Sequence, residues 1–232
     1  MTRTMTEAGS GQTATSFIAA ELRQEILSGA LQPGIRLKVD HLKVRFKTAI
    51  NPVREALNRM VADGLVTLED HKGFSVAPVS LTEWRDLLEA RCLIETAALR
   101  QSIANADDTW RDEIVVSLHR LMRTPRHLDP ARQQPNPDWE PIHHRFHRAL
   151  LARSGSDTIL RISDDLRMRA DRYRVLAGRA QRARTTYNEE HELMAKAALD
   201  GDADLASRTL EDHYRVTLQV VEGYFADLGQ SR

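Results

Sequence analysis

The residues best suited to chemistry are histidines in the second half of the chain. Nine histidines occur among 232 residues. His143 and His147 lie four positions apart in the stretch EPIHHRFHRALL, so on a helix both imidazoles project from one face. His144 lies between them and is expected to face away. An i, i+4 pair of imidazoles suits one metal ion, although such a pair also arises by chance.

Two later histidines lie on helix faces that are expected to be buried. His191 and His213 each recur at helical spacing with mainly apolar residues. A buried imidazole needs a hydrogen-bond partner or a metal, because burying it without either costs free energy. The pattern therefore favours one metal site formed by His143, His147, His191 and His213, and the alternative is a set of structural core histidines.

The elements that must position these residues are helices. From Leu81 onward, apolar periodicity predicts helices over 81–104, 108–122, 138–153, 156–178, 183–200 and 202–227. The proline-rich stretch 124–139 is predicted to be a loop. An all-α antiparallel bundle over residues 82–228 is the expected result.

Residues 15–78 predict a smaller domain of a different kind. Apolar spacing predicts helices from Thr15 to about Gly29, over 39–46 and over 52–63, and alternating runs at 65–68 and 74–77 predict a hairpin around EDHKG. This order is that of a winged helix-turn-helix, whose second motif helix enters the major groove. The predicted fold class is thus mainly α, with residues 1–14 as a disordered leader.

DNA contacts are predicted from side-chain type and position. Arg54 and Asn51, near the start of the groove helix, suit guanine and adenine edges. We expect contacts to the DNA backbone from Lys43, Arg45 and Lys47. The wing is predicted at His71, Lys72 and Gly73. Spacing alone is weak evidence for this motif, so a helical domain with ordinary surface charges is the alternative.

Composition excludes several classes of protein. The 33 basic and 33 acidic residues cancel, so phosphate binding requires local clustering of charge. Cys92 is the single cysteine and excludes an internal disulfide. No apolar run approaches the ~20 residues of a membrane span, and no signal peptide is evident. A cytoplasmic protein without membrane contact is expected.

The N-terminal motifs resemble one known family. The turn ILSGALQPGIRL, the helix PVREAL, the step DGLV and the wing KGFSVAPVS are similar to the DNA-binding domain of the GntR superfamily. The resemblance implies a homodimer on an inverted-repeat operator, with Arg54 and Gly73 carried over as contacts. Members usually have arginine at the position of Asp40, serine at that of Ala49, and arginine or lysine at that of Ile50.

The C-terminal motifs resemble the all-helical FCD effector domain of the FadR-like branch. They are LLEARCLIETAAL, HHRFHRALLARSGS, EEHELMAKAALDGDADLA and EDHYR. Metal-binding members use an Asp-x-x-x-His pair and two later histidines, which correspond to His143, His147, His191 and His213. His143 replaces the usual aspartate. Four neutral imidazoles favour zinc, with nickel as the second choice, and leave the charge of the ion to attract an effector carboxylate.

The resemblance also implies that Arg91 lies at the edge of the effector pocket. The alternative is a surface ion pair between Arg91 and Glu95, four residues later on the same helix.

The predicted function is that of a DNA-binding transcription regulator whose operator affinity is controlled by a small, carboxylate-type effector at a metal-containing pocket. The expected partners are double-stranded DNA, a small organic acid and a second copy of the chain. One alternative is a regulator that responds to the metal itself. A helical-bundle metalloenzyme is disfavoured, because the chain has no HExxH motif, defensible Ser-His-Asp order or glycine-rich phosphate loop.

Overall fold

A computed structural model describes residues 13–129, 136–179 and 187–230. Along these segments the elements are α1 (Ala14–Leu27), α2 (Val39–Arg45), α3 (Ile50–Ala62), β1 (Val66–Glu69), β2 (Gly73–Val76), α4 (Leu81–Ala104), α5 (Asp108–Arg123), α6 (Trp139–Leu151), α7 (Asp157–Arg179), α8 (Tyr187–Leu199) and α9 (Ala203–Gln230). Two compact units result, one running to Ser80 with residues 171–175 added, and one formed by the rest from Leu81 onward. Within the described segments, no helix is both long and apolar enough to cross a bilayer.

The predicted fold class is confirmed, with shifts at some boundaries. Residues 1–12 of the predicted leader lie outside the described residues, but Thr13 already caps α1, because its Oγ1 accepts the backbone N–H of Ser16. α3 begins at Ile50, two residues before its predicted start at Pro52. Proline is tolerated throughout a first helical turn, where backbone N–H groups have no partner inside the helix.

The first unit is built around the packing of α1 on α3. Leu22 from α1 and Val53 and Leu57 from α3 are fully buried. Their three- and four-residue spacing gives each helix one apolar stripe, and burying both stripes is favourable. An ion pair between Arg45 and Glu25 ties α2 to α1, so the helix pair that precedes the hairpin is fixed relative to α1.

The hairpin that follows α3 is antiparallel. Val66 pairs with Val76, and Glu69 pairs with Gly73. The backbone around this turn is left-handed at two positions on either side of Lys72, where His71 has φ 61° and Gly73 has φ 77°. Glycine adopts this conformation at little cost, so Gly73 sets the shape of the hairpin tip.

The second unit packs its helices around α6 and α9. α6 lies against α4 and α5, and α9 lies against α4 and α8. Asp107 caps the N-terminus of α5, because its carboxylate accepts the backbone N–H of Trp110 at 2.8 Å. The short turn between α8 and α9 uses Gly201 at φ 80°, and this turn brings α9 back along α8.

Candidate metal centre, adjoining cleft and DNA-facing surface

Three helices of the second unit bring the four selected histidines together. His143 and His147 come from successive turns of α6, His191 comes from α8 and His213 from α9. All four are buried, with at most 6% of any residue exposed. The convergence follows from the packing of α8 on α9 together with the placement of α6, since each histidine lies on the inward stripe of its own helix.

The distances within this histidine cluster match a single ion. One potential ligand atom from each imidazole lies within 4.8 Å of all the others. His143 Nε2 lies 3.1 Å from His191 Nε2 and 3.0 Å from His147 Nε2. Nitrogen ligands about 2.1 Å from a common ion are separated by about 3–4 Å. The shortest separations therefore fall in the range that one shared cation produces.

The outer nitrogens of two imidazoles are committed to acceptors. His191 Nδ1 lies 2.5 Å from the carbonyl oxygen of Tyr187, and His213 Nδ1 lies 3.0 Å from Glu190 Oε2. A carbonyl oxygen and a carboxylate accept hydrogen bonds, so in the neutral imidazole each Nδ1 carries the proton and each Nε2 presents a lone pair. This is the tautomer that a metal ligand requires, held by an outer hydrogen bond.

The central position of His143 gives a chemical reason for a cation. Its Nε2 faces two other ring nitrogens, and one Nε2 proton can serve only one of these contacts well. A single cation would satisfy all the inward lone pairs at once. The residues present therefore fit a divalent metal whose ligands are imidazoles.

Aromatic side chains form a wall on one side of the cluster. Trp139 stacks on His143 with ring centroids 4.4 Å apart, and Tyr187 stacks on His191 at 5.3 Å. The guanidinium of Arg126 lies over both aromatic rings, 5.2 Å from Trp139 and 4.8 Å from Tyr187. This wall restricts solvent at the cluster and fixes the planes of two imidazoles.

Arg91 and Glu95 form a buried ion pair, so the alternative of a surface pair is wrong. Arg91 Nε donates to Glu95 Oε1 at 2.8 Å, and Arg91 Nη2 donates to Tyr214 Oη at 2.7 Å. Tyr214 Oη in turn donates to Glu95. Burial raises the pKa of Tyr214 well above its usual value, so this hydroxyl keeps its proton. The three side chains link α4 to α9 one residue away from His213.

A small cleft adjoins the histidine cluster, because His147 lines both. The cleft is shallow and partly open to solvent. Its other lining residues are Arg91, Glu95, His144, Arg148, Leu151, Leu160, Ser163, Asp164 and Arg167. Its interior has room for about one water molecule, so an organic ligand would require the lining side chains to move.

His144 lines this cleft and lies outside the histidine cluster, as expected for a residue that faces away from the metal pair. His144 Nε2 lies 3.4 Å from Asp164 Oδ1. Arg148, one turn later on α6, donates to Asp164 Oδ2 at 2.5 Å. Asp164 on α7 thus holds both side chains at the cleft. α6 therefore presents its histidine pair to the cluster on one face and His144 with Arg148 to the cleft on the adjacent face.

The predicted DNA contacts fall on the surface of the first unit. Asn51 and Arg54 are exposed on α3, Lys47 is exposed at the end of the turn after α2, and Lys43 is half-buried. His71 and Lys72 are exposed at the hairpin tip, next to Gly73, and Lys72 pairs with Glu69. Arg45 differs from the others. It is held by Glu25, which raises the pKa of its guanidinium, and its main role in the fold is to join α2 to α1.

Comparisons with known proteins identify both units. The model for bacterial regulatory proteins of the gntR family matches residues 14–76. The FCD domain model matches residues 86–216, more than half of the chain. The chain belongs to the GntR family and carries an FCD domain.

Relatives of this GntR-family chain are transcription regulators. It is 36% identical to the uncharacterised HTH-type transcriptional regulator BphR of Paraburkholderia xenovorans, over 88% of this chain and 83% of that protein. It is 28% identical to the HTH-type transcriptional repressor GlaR of Escherichia coli, over 87% of this chain and 92% of that protein. The family and these relatives place the chain among DNA-binding regulators, and the metalloenzyme alternative is not retained.

Solved structures show the same fold. A putative transcriptional regulator GntR from Rhodococcus sp. RHA1 superposes with a TM-score of 0.71 at 20% identity, covering 91% of this chain and 99% of that one. McbR/YncC of E. coli gives a TM-score of 0.70 at 19% identity, covering 92% and 99%. At these identities the likeness concerns the fold.

Several residues around the histidine cluster were not found from the sequence of this GntR-family chain. Glu190 immediately precedes His191, yet its carboxylate lies at His213, 23 positions away. Tyr214 and Asp164 likewise act through contacts that bridge helices. No local spacing signals these pairings, because they depend on how α7, α8 and α9 are packed.

Proposed function

We propose that this regulator binds an operator through α3 and the hairpin, and that a small organic acid at a metal-containing site in the FCD domain controls this binding. The observation that carries the effector half is the convergence of four buried imidazoles within 4.8 Å, next to a cleft lined by arginines. Membership of the gntR family supports the DNA-binding part of the proposal.

The exposed face of α3 supports its placement in a major groove. Asn51 and Arg54 lie near its N-terminus, where a groove helix presents side chains to base edges. The N-cap Ala49 has no side-chain hydrogen bond, and no acid lies in the first turn, so the positive end of the helix is free to face phosphates. Lys43 and Lys47 contribute backbone contacts, and His71, Lys72 and Gly73 form the wing.

The metal is proposed to be zinc, with nickel as the second choice. His143, His147, His191 and His213 would hold it, since imidazole suits both ions better than it suits manganese or magnesium. A bound divalent ion would supply positive charge and a Lewis-acidic position in a buried setting. Glu190 lies behind His213 and offsets part of that charge from outside the cluster.

The adjoining cleft is proposed to hold the effector. Arg91 lines the cleft but is already engaged by Glu95 and Tyr214, so its proposed contact with the effector carboxylate would come in addition to these bonds. Arg148 and Arg167 add positive charge to the same cleft. An anion is favoured here, because the arginine side chains outnumber the carboxylates among the lining residues.

Control of DNA binding follows from thermodynamic linkage. We propose a homodimer that binds the two halves of an inverted repeat, because a two-fold protein matches a two-fold operator. An effector that binds the DNA-free state more tightly weakens operator affinity, and DNA weakens effector affinity by the same factor. Such couplings are typically about 1–3 kcal/mol.

The metal proposal is tested by titration of the full chain. Purified protein is stripped with chelator and titrated with zinc, nickel or manganese, with tryptophan fluorescence as one readout because one of the three tryptophans, Trp139, stacks on His143. We expect one ion per chain, tight binding of zinc and nickel, and a large loss of affinity in His147→Ala. The control His119→Ala changes an exposed histidine on α5 and should leave affinity unchanged. Absence of stoichiometric zinc or nickel binding would overturn the metal site.

The effector proposal is tested at constant metal. Small organic acids are screened by thermal shift with metal-loaded and metal-stripped protein. A true effector should stabilise the loaded protein more and change its affinity for a selected duplex. If DNA affinity follows metal concentration and no acid changes it, the regulator responds to the metal itself. The observation that favours a metal-responsive regulator is the number of histidines, because four protein ligands would fill a tetrahedral site and leave no position for an acid.

A further inference from the structure

A partly exposed isoleucine begins the helix that is proposed to enter the major groove. Ile50 is the first residue of α3 and is 42% exposed. The other large apolar residues of the N-terminal turns, Val53 and Leu57, are fully buried. Ile50 therefore presents apolar surface to solvent at a position that contributes less than these residues to the core of the unit.

The surroundings of Ile50 are suited to a polyanion. Arg54 lies one helical turn after Ile50 on the same face of α3, and Asn51, the residue next to Ile50, is exposed. Lys43 and Lys47 belong to α2 and the turn that precedes α3. Duplex DNA satisfies both features of this surface, because its phosphates complement the cations and its grooves present base edges to the residues between them.

The chemistry of the side chain restricts which base edge it can select. Isoleucine neither donates nor accepts a hydrogen bond, so it cannot recognise the O6 and N7 acceptors of guanine or the N6 donor of adenine. The characteristic apolar group on the major-groove edge is the 5-methyl group of thymine. We propose that Ile50 packs against a thymine methyl group and thereby selects thymine at one position of each half-site. This inference rests on the proposed placement of α3 in the major groove.

The test uses a change in the DNA and does not depend on the folding of a variant. Selection from random duplexes with the full chain supplies a bound sequence. Each retained thymine is then replaced by uracil, which pairs identically but lacks the methyl group. Loss of one buried methyl group corresponds to about a fourfold change in Kd. We expect uracil at one position per half-site to raise Kd about fourfold for the wild-type chain.

Protein variants assign this effect to a residue. In Ile50→Ala the difference between thymine and uracil at that position should disappear, while other positions keep their preferences. Ile50→Arg should lose the preference for thymine and gain one for guanine, which arginine contacts through two hydrogen bonds. The matched control is Val44→Ala on α2, because Val44 is an exposed aliphatic residue six positions before Ile50, at 72%. It should retain the full uracil effect.

The outcomes separate the two proposals. Equal Kd values for thymine and uracil at every selected position would overturn the role of Ile50 while leaving DNA binding intact. A uracil effect that persists in Ile50→Ala, or that disappears in Val44→Ala, would also overturn it. Failure of the full chain to select any duplex would instead refute the DNA-binding proposal itself, and the inference with it.

Discussion

The buried pair of Arg91 and Glu95 allows a quantitative prediction. Their side chains are 6% and 1% exposed, so replacing Arg91 by Met leaves a carboxylate in the interior without its cation. Such a change costs about 3–5 kcal/mol. Because Tyr214 still donates to Glu95, we expect the lower part of this range. At about 2–4 °C per kcal/mol for a chain of this size, the melting temperature should fall by roughly 6–16 °C.

The double variant Arg91→Met/Glu95→Leu tests the reasoning. It removes both charges and fills the space with apolar groups, which are often as stabilising as a buried ion pair. We therefore expect the double variant to recover most of the loss seen in Arg91→Met. The control is Arg145→Met, since Arg145 and its partner Glu113 are 50% and 39% exposed, and its cost should stay below about 1 kcal/mol.

Urea and thermal unfolding of metal-stripped full chain, followed by circular dichroism, measure these differences without a contribution from metal binding. The interpretation fails if the double variant is as destabilised as the sum of Arg91→Met and Glu95→Leu. It also fails if Arg91→Met is no worse than the exposed control, because the pair would then behave as a solvent-screened one.

Three further predictions address other parts of the chain. Lys43→Ala should reduce the slope of log affinity for DNA against log salt concentration by about one, measured by salt titration, without altering stability. Arg45→Met should instead lower the free energy of unfolding in urea by about 1 kcal/mol, because it removes the ion pair with Glu25. The N–H of Trp110 holds the pKa of Asp107 below its usual value, so the stabilisation by this carboxylate is present at neutral pH and lost as pH falls through the folded-state pKa. The stability difference between wild type and Asp107→Asn should accordingly disappear in acid, and a constant difference would contradict this. Burial raises the pKa of Cys92 to about 11, so iodoacetamide should alkylate the folded chain slowly at pH 8 and much faster in urea.

The sequence by itself predicts which segments of this protein form helices and strands, because helix periodicity and turn residues are local properties. The order of helices and the hairpin followed from apolar spacing, and so did the choice of the four histidines, which lie on inward stripes of α6, α8 and α9. A stripe predicts that a side chain is buried. It carries no information on which other helix that side chain will meet.

Tertiary packing determines which side chains contact one another across helices. Glu190 reaches His213 although the residue next to it in sequence is His191, and Arg45 pairs with Glu25 on α1 although its charge suggested a phosphate contact. The i, i+4 spacing of Arg91 and Glu95 predicts their contact equally well on a surface or in a core, and the packing of other helices, α6 and α9 among them, on α4 buries it. The energy of a charged contact depends on its solvation, and solvation is set by elements distant in sequence.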